Sequence, residues 1–234
     1  MAHRGAPTGG AAENTIRAFR DAAAAGASGV ELDVRGTADG RLAVVHDAQV
    51  RLPDGRTAAV GSVALDDLRD RNVEVNDRVP SLEEALRALL GRTGVIVEVK
   101  EPGLEERVAA ALVSLKADRR LPWLLVASFH PEVLRRFARL APGIRRALVV
   151  APSGPGLAGR LRALMPLRSW RASGAEDLMP LHAMVTPSLV EGVARTGGRV
   201  IPWTVNELAD AERVVAAGAA GVITDDLDAV RAAV

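Results

Sequence analysis

The chain has 234 residues, of which 48% are hydrophobic and 25% charged, a globular balance that excludes a disordered or fibrous protein. Thirty basic residues face twenty-nine acidic ones for a net charge of +1, so no basic excess marks nucleic acid as a partner. Cysteine is absent, which excludes disulfides, zinc–thiolate sites and a thiol nucleophile. No apolar run approaches the roughly 20 residues of a membrane span. The first residues lack the n-region and h-region of a secretory signal, and a cytoplasmic protein is the expectation. Arginine is the habitual cation: only Lys100 and Lys116 are lysine.

In chain order, a short first strand is expected over 2–5, then a helix over 14–26 that opens on an Asn14 or Thr15 cap and stops at Gly26. A strand follows at 29–34 (GVELDV). The turn residues of 38–40 predict that 41–47 folds back as a hairpin over the mouth of the sheet, with a small insertion over 48–79. Ser81 and Glu84 have the spacing of a capping box for a helix over 81–90. Strands at 94–100, 124–129 and 146–150 then alternate with helices at 105–116 and 131–140. The connection 151–181 is rich in proline, glycine and arginine, and one amphipathic helix is expected near 157–170. Its arginines read as a solvent face, with membrane-surface contact as the alternative. The remaining strands are expected at 183–187, 199–205 and 221–225, with helices at 188–196 and 206–217.

Strands alternating with helices predict a parallel sheet, because parallel partners need a crossover. Eight units in 234 residues match an α/β fold of the (β/α)₈ TIM-barrel type, one domain spanning 1–234. An open doubly wound sheet is disfavoured. No G-x-G-x-x-G follows the first strand, and polar residues recur inside several strands.

Those polar residues point to chemistry. In Val30-Glu31-Leu32-Asp33-Val34 the period of two puts the apolar set on one face and both carboxylates on the other. On a barrel strand the apolar set packs under helices, leaving Glu31 and Asp33 inside, where unpaired carboxylates are costly to desolvate. Glu98 and Lys100 repeat the pattern on 94–100. Three carboxylates from two strands make an oxygen cage suited to Mg²⁺ or Ca²⁺; structural ion pairs are the other reading. Lys100 suits a phosphate oxygen or a salt bridge to Glu98 or Glu31. His3 and His46 fall at the same rim, where an imidazole can move protons in both directions near neutrality. His130 and His182 lack that company and are read as surface residues. Trp203 either walls a ligand or plugs the barrel, and Asp225 closes the last strand in a structural or a catalytic bond.

Taken in order, His3-Arg4-Gly5, Glu13-Asn14-Thr15, Glu31-x-Asp33, Thr37-x-Asp39-Gly40, His46-Asp47, Glu98-x-Lys100, Ser128-Phe129, Trp203-Thr204-Val205-Asn206 and Thr224-Asp225 resemble the glycerophosphodiester phosphodiesterase family. Each motif is weak and the ordered set, spread over nearly the whole chain, is specific. The resemblance implies a barrel that hydrolyses a small glycerophosphodiester to glycerol 3-phosphate and an alcohol with a divalent cation. It implies Glu31, Asp33 and Glu98 as metal ligands and His3 and His46 as general acid and base. Arg4 and Lys100 would hold phosphate, with Trp203 lining the pocket. The sequence departs from the family pattern in having only Met1 and Ala2 before His3, Ala12 before Glu13 and Leu227 after Asp226. Two other readings fit the same residues: a phospholipase-D-like enzyme on lysophospholipids or sphingolipids, and a non-catalytic barrel that binds phosphorylated polyols.

Overall fold

In the computed structural model, residues 1–6, 11–69, 73–116, 121–152 and 156–234 are described. Residues 70–72 of the expected insertion and 153–155 of the expected long connection lie outside them. Thr15 Oγ1 accepts the N–H of Ala18 and caps α1 (Ile16–Ala24). Strand β1 (Gly29–Gly36) follows, and β2 (Leu42–Val44) folds back antiparallel on its end, Val34 opposite Val44. A hairpin of β3 (Gln49–Arg51) and β4 (Thr57–Ala59) continues the chain. It leads into short 3₁₀ turns, and Leu52, Val60, Leu65 and Leu68 bury a satellite core there with Ala43. The Ser81–Glu84 capping box is formed, with each side chain accepting the other's N–H, and opens α2 (Leu82–Leu89).

The alternation then runs β5 (Gly94–Val99), α3 (Glu105–Lys116), β6 (Leu124–Ser128), α4 (Pro131–Leu140), β7 (Arg145–Val150), α5 (Gly156–Leu164), α6 (Pro166–Ser173) and β8 (Asp177–Pro180). Three more helices, α7 (Pro187–Ala194), α8 (Leu208–Ala216) and α9 (Leu227–Val230), complete it. None of the helices described is long and apolar enough to cross a membrane.

The regular strands form one sheet in the order β2-β1-β5-β6-β7-β8, parallel from β1 to β8. Backbone bonds carry the ladder onward: Ile201 N–H to Leu178 O, Ile223 N–H to Pro202 O, His3 N–H to Thr224 O and Ala2 N–H to Gly29 O, each 2.8–2.9 Å. The fold is therefore the expected TIM barrel, with three ring positions held by isolated bridges rather than regular strands. Pro202 lacks the N–H a ladder needs. Arg4 and Ala6 have φ of 49° and 44°, so the expected first strand shrinks to Ala2 and His3–Gly5 becomes a 3₁₀ turn.

Two further expectations are corrected. The strand placed at 183–187 lies instead at β8, where Leu178 and Met179 pair with Leu148 and Val149, and His182–Met184 is a 3₁₀ turn. The single amphipathic helix near 157–170 is two helices, because Pro166 cannot continue α5 and instead starts α6.

The outward side chains of the strands, Val30, Leu32 and Val34 among them, share the main core with the helices. Inside the ring lie Ile96, Leu125, Ala127, Ala147, Val149, Met179, Ile201 and Ile223. At the amino end of the strands, the Trp123 indole lies across Gly29 and Gly94, neighbours in the β1–β5 register. A Cβ on Gly94 would stand 2.0 Å from the ring, so only glycine admits the plug. Gly94→Ala is expected to cost about 1–3 kcal/mol by overpacking, read as a lower melting temperature with red-shifted tryptophan emission. A variant as stable as the parent would show that the ring is not wedged.

At the same end, buried Asp177 accepts from Arg145 Nη2 at 2.6 Å, Arg199 Nη2 at 2.7 Å and the Arg199 N–H at 2.9 Å. Burial pushes its carboxyl up, but the two guanidinium bonds prevail and hold it below the ordinary 3.8. The folded state thus binds fewer protons, so this stabilisation is full above pH 4 and is lost as the pH falls through the depressed value. Asp177→Asn is expected to lower stability at neutral pH by about 2 kcal/mol, less than for a fully enclosed pair because both arginines reach solvent. It should also flatten the acid limb of stability against pH, measured by denaturant titration.

Candidate active site

At the carboxyl end, the inner face of β1 presents Glu31 and Asp33, and the β1–β5 register sets Glu98 opposite Asp33. All three are buried, and a carboxylate oxygen from each lies within 4.8 Å of the others. The expected convergence is present. Asp33 is the best supported: it accepts from Asn14 Nδ2 at 2.9 Å and lies 3.2 Å from both Lys100 Nζ and Arg4 Nε. Glu98 Oε1 lies 2.7 Å from Lys100 Nζ. Glu31 Oε2 accepts the Arg4 N–H at 3.0 Å, while its buried Oε1 has no hydrogen-bond partner.

His3 reaches the cluster because Ala2 bridges both Val30 and Thr224 and the left-handed turn at Arg4 follows at once. Its Nδ1 lies 2.6 Å from Asp225 Oδ1, and its Nε2 4.0 Å from Glu31 Oε2. Asn14, with a φ of 57°, anchors the same turn by donating its N–H to Arg4 O at 2.9 Å. Arg4 also pairs with Glu13 at 3.0 Å. His46 follows β2, with Nδ1 at 2.8 Å from Asp47 Oδ1. Its carbonyl accepts from Arg35 Nε at 2.8 Å, and Arg35 is fixed by Glu101 at 3.0 Å.

The opposite wall is apolar. Phe129 and Trp203 meet edge to face with centroids 5.7 Å apart, and Trp203 Nε1 donates to Met179 O at 2.9 Å. These groups enclose a cavity of about 410 Å³ that His3, Arg4, Glu31, His46, Glu98, Lys100 and Trp203 all line. Asp33 lies behind this lining, one step from the cavity through Lys100 and Arg4. His130, expected at the surface, also faces the cavity, because the turn from β6 into α4 brings it over the rim.

Crowding sets the protonation. Burial, then the Asp33 charge, pushes Glu31 up to about 8. Burial also works against Asp33, yet Lys100, Asn14 and Arg4 outweigh it and hold that carboxyl below the usual range. Burial would lower the pKa of His3, but the Asp225 bond and the Glu31 charge win and raise it. Three buried carboxylates, one of them with an Oε1 free of any hydrogen bond, make a donor set of hard oxygens of the kind that holds a divalent cation.

Asn14, Arg35, Glu101 and His130 are supports that strand periodicity does not single out. Asn14 and Asp225 do stand inside recognisable motifs, and the left-handed Asn14 is the residue type such a turn favours.

Residues 3–229 match the glycerophosphoryl diester phosphodiesterase family. A glycerophosphodiester phosphodiesterase of Caldanaerobacter subterraneus is 30% identical over 239 residues, covering 97% of this chain and 93% of that protein. Among solved structures, a glycerophosphodiester phosphodiesterase from Agrobacterium tumefaciens has a TM-score of 0.77 at 26% identity, covering 99% of this chain and 97% of the other. A phosphodiesterase from Oleispira antarctica, solved with the product sn-glycerol-3-phosphate, has a TM-score of 0.78 at 25% identity over 99% and 94% of the two chains. With the match running almost end to end, the chain belongs to the glycerophosphoryl diester phosphodiesterase family.

Proposed function

We propose that this protein hydrolyses glycerophosphodiesters to glycerol 3-phosphate and an alcohol. The reading rests on one observation above the others: buried Glu31, Asp33 and Glu98 converge at the base of a cavity that His3, His46, Arg4 and Lys100 line. The partnerless Glu31 Oε1 fits a cation ligand, and Glu31, Asp33 and Glu98 would hold Mg²⁺ or Ca²⁺. Such an ion, when bound, supplies neutralisation of the phosphate and of the charge that builds during displacement.

The chain's own residues do the rest. A phosphodiester repels nucleophiles, so Arg4 offers a forked donor and Lys100 a point charge to its oxygens. Trp203 and Phe129 form the apolar wall for the glycerol carbons. His3 and His46 divide the proton transfers. One removes the proton from the attacking oxygen, either water or the substrate's own 2-hydroxyl, and the other protonates the departing alkoxide. Only the 2-hydroxyl route yields a cyclic phosphate, which a water must then open at the 2-oxygen to give glycerol 3-phosphate. Half-exposed Asp225, 2.6 Å from His3 Nδ1, fixes the tautomer and the aim of His3, as the triad carboxylate does for a catalytic imidazole.

Purified protein is expected to release glycerol 3-phosphate from glycerophosphocholine, to lose this with a chelator and to regain it with Mg²⁺ or Ca²⁺. His46→Ala should lower kcat by about 10²–10⁴-fold; full turnover by that variant would overturn the assignment. Asp225→Asn is expected to lower kcat by about 10²-fold or more with KM nearly unchanged, since it disturbs the orientation of His3 and not substrate contact. Equal loss of kcat and affinity would instead make Asp225 a binding residue.

A further inference from the structure

The densest group of exposed apolar side chains lies away from the cavity. Leu157, Leu161, Leu164 and Met165 are 74, 55, 77 and 52% exposed. Their steps of four, three and one place them in one stripe along α5 and its end. A helix that covers a barrel strand ordinarily turns such a stripe inward; α5 turns it to solvent. Beside it, Leu167, Met184 and Leu189 line a groove of about 570 Å³ edged by Arg168 and Arg171.

Charge identifies the occupant. Residues 151–175 contain four arginines and no Asp or Glu, whereas the rest of the chain holds 26 basic and 29 acidic residues. The positive excess therefore sits on the segment that exposes the stripe. Leucines on one face of a short helix, in a segment that carries arginines and no acids and with Arg168 and Arg171 at the adjoining groove, suit an anionic interface: apolar groups enter the acyl boundary while guanidinium groups meet phosphates. A second copy of this chain suits it less, because a two-fold contact would set arginine against arginine.

Position gives the surface a use. α5 leaves the carboxyl end of β7, and the groove takes Met184 and Thr186 from the segment leaving the carboxyl end of β8. Val149 and Met179 of those same two strands line the reaction cavity. We infer that α5 and the α5–α6 corner dock this protein on the surface of an anionic phospholipid bilayer. That docking also presents the cavity to diesters in or leaving the membrane rests on the hydrolase reading; the docking itself does not.

Flotation with vesicles tests it. The full chain is expected to float with vesicles of phosphatidylglycerol and phosphatidylcholine in equal parts, to remain unbound with phosphatidylcholine alone, and to be released by salt. The double variant Leu161→Asp/Leu164→Asp changes only exposed side chains. It should partition at least about tenfold less while keeping the parent's melting temperature and its turnover of soluble glycerophosphocholine. The inference is overturned if the parent floats with neither vesicle or the double variant floats as well as the parent. It is equally overturned if light scattering shows a dimer that the double variant dissolves, since a second copy then covers the stripe. Turnover of soluble substrate in the same preparation separates the readings: flotation without turnover keeps the docking and removes the hydrolase, and turnover without flotation does the reverse.

Discussion

Three carboxylates withdrawn from water, beside an apolar cluster that fills the barrel, set the terms for everything around them. A buried charge without a partner costs several kcal/mol, and like charges side by side raise that cost. The chain answers unevenly. Asp33 has an amide and two cations and stays ionised. Glu98 has Lys100. Glu31 has one backbone N–H, His3 at 4.0 Å and an Oε1 without a hydrogen bond, and burial beside Asp33 drives it toward its proton. That imbalance leaves the cluster with more negative than positive groups in contact.

The barrel keeps this tension apart from what holds it together. Its amino end is tied by a tryptophan wedged over two glycines and by an aspartate gripped by arginines from two different segments. Its carboxyl end carries the carboxylates, the imidazoles and the left-handed turn at Arg4. A non-glycine residue at positive φ costs of order 1 kcal/mol and persists only where neighbours over-determine it. Here Asn14 and Glu31 do so, by bonds to the carbonyl and N–H of the same residue. Strain and unmet polarity thus gather where substrate would enter, and close packing gathers where none does.

How much of this was legible in the sequence follows from how local each cause is. The carboxylates of β1 and β5 were readable because a period of two puts every second side chain on one face, and the β1–β5 register then did the rest. The Ser81–Glu84 cap and the break at Pro166 are equally local signals, although the second went unused. Strand β8 was misplaced because it opens on Asp177, whose charge looks wrong for a strand until Arg145 and Arg199 arrive from elsewhere. The partnership of His3 with Asp225 spans 222 residues, and no spacing within a motif can encode a bond that only closure of the ring creates. Arg4 was reached through the family resemblance alone, since it sits in a turn to which no periodicity applies.

Lys100 shows why a substitution that looks conservative would not be so. In a chain that otherwise writes arginine for nearly every cation, this position holds a lysine whose ammonium lies between Glu98 and Asp33, on neighbouring strands, at 2.7 and 3.2 Å. A guanidinium is planar and presents its donors as a rigid fork of fixed geometry, bulkier than an ammonium. An ammonium on a flexible stem can touch both oxygens and still line the cavity, 6.0 Å from the Phe129 ring. Burial disfavours its charge, but the two carboxylates more than compensate, so it stays protonated. The lysine therefore offsets two buried acids of neighbouring strands at once while its side chain still lines the cavity.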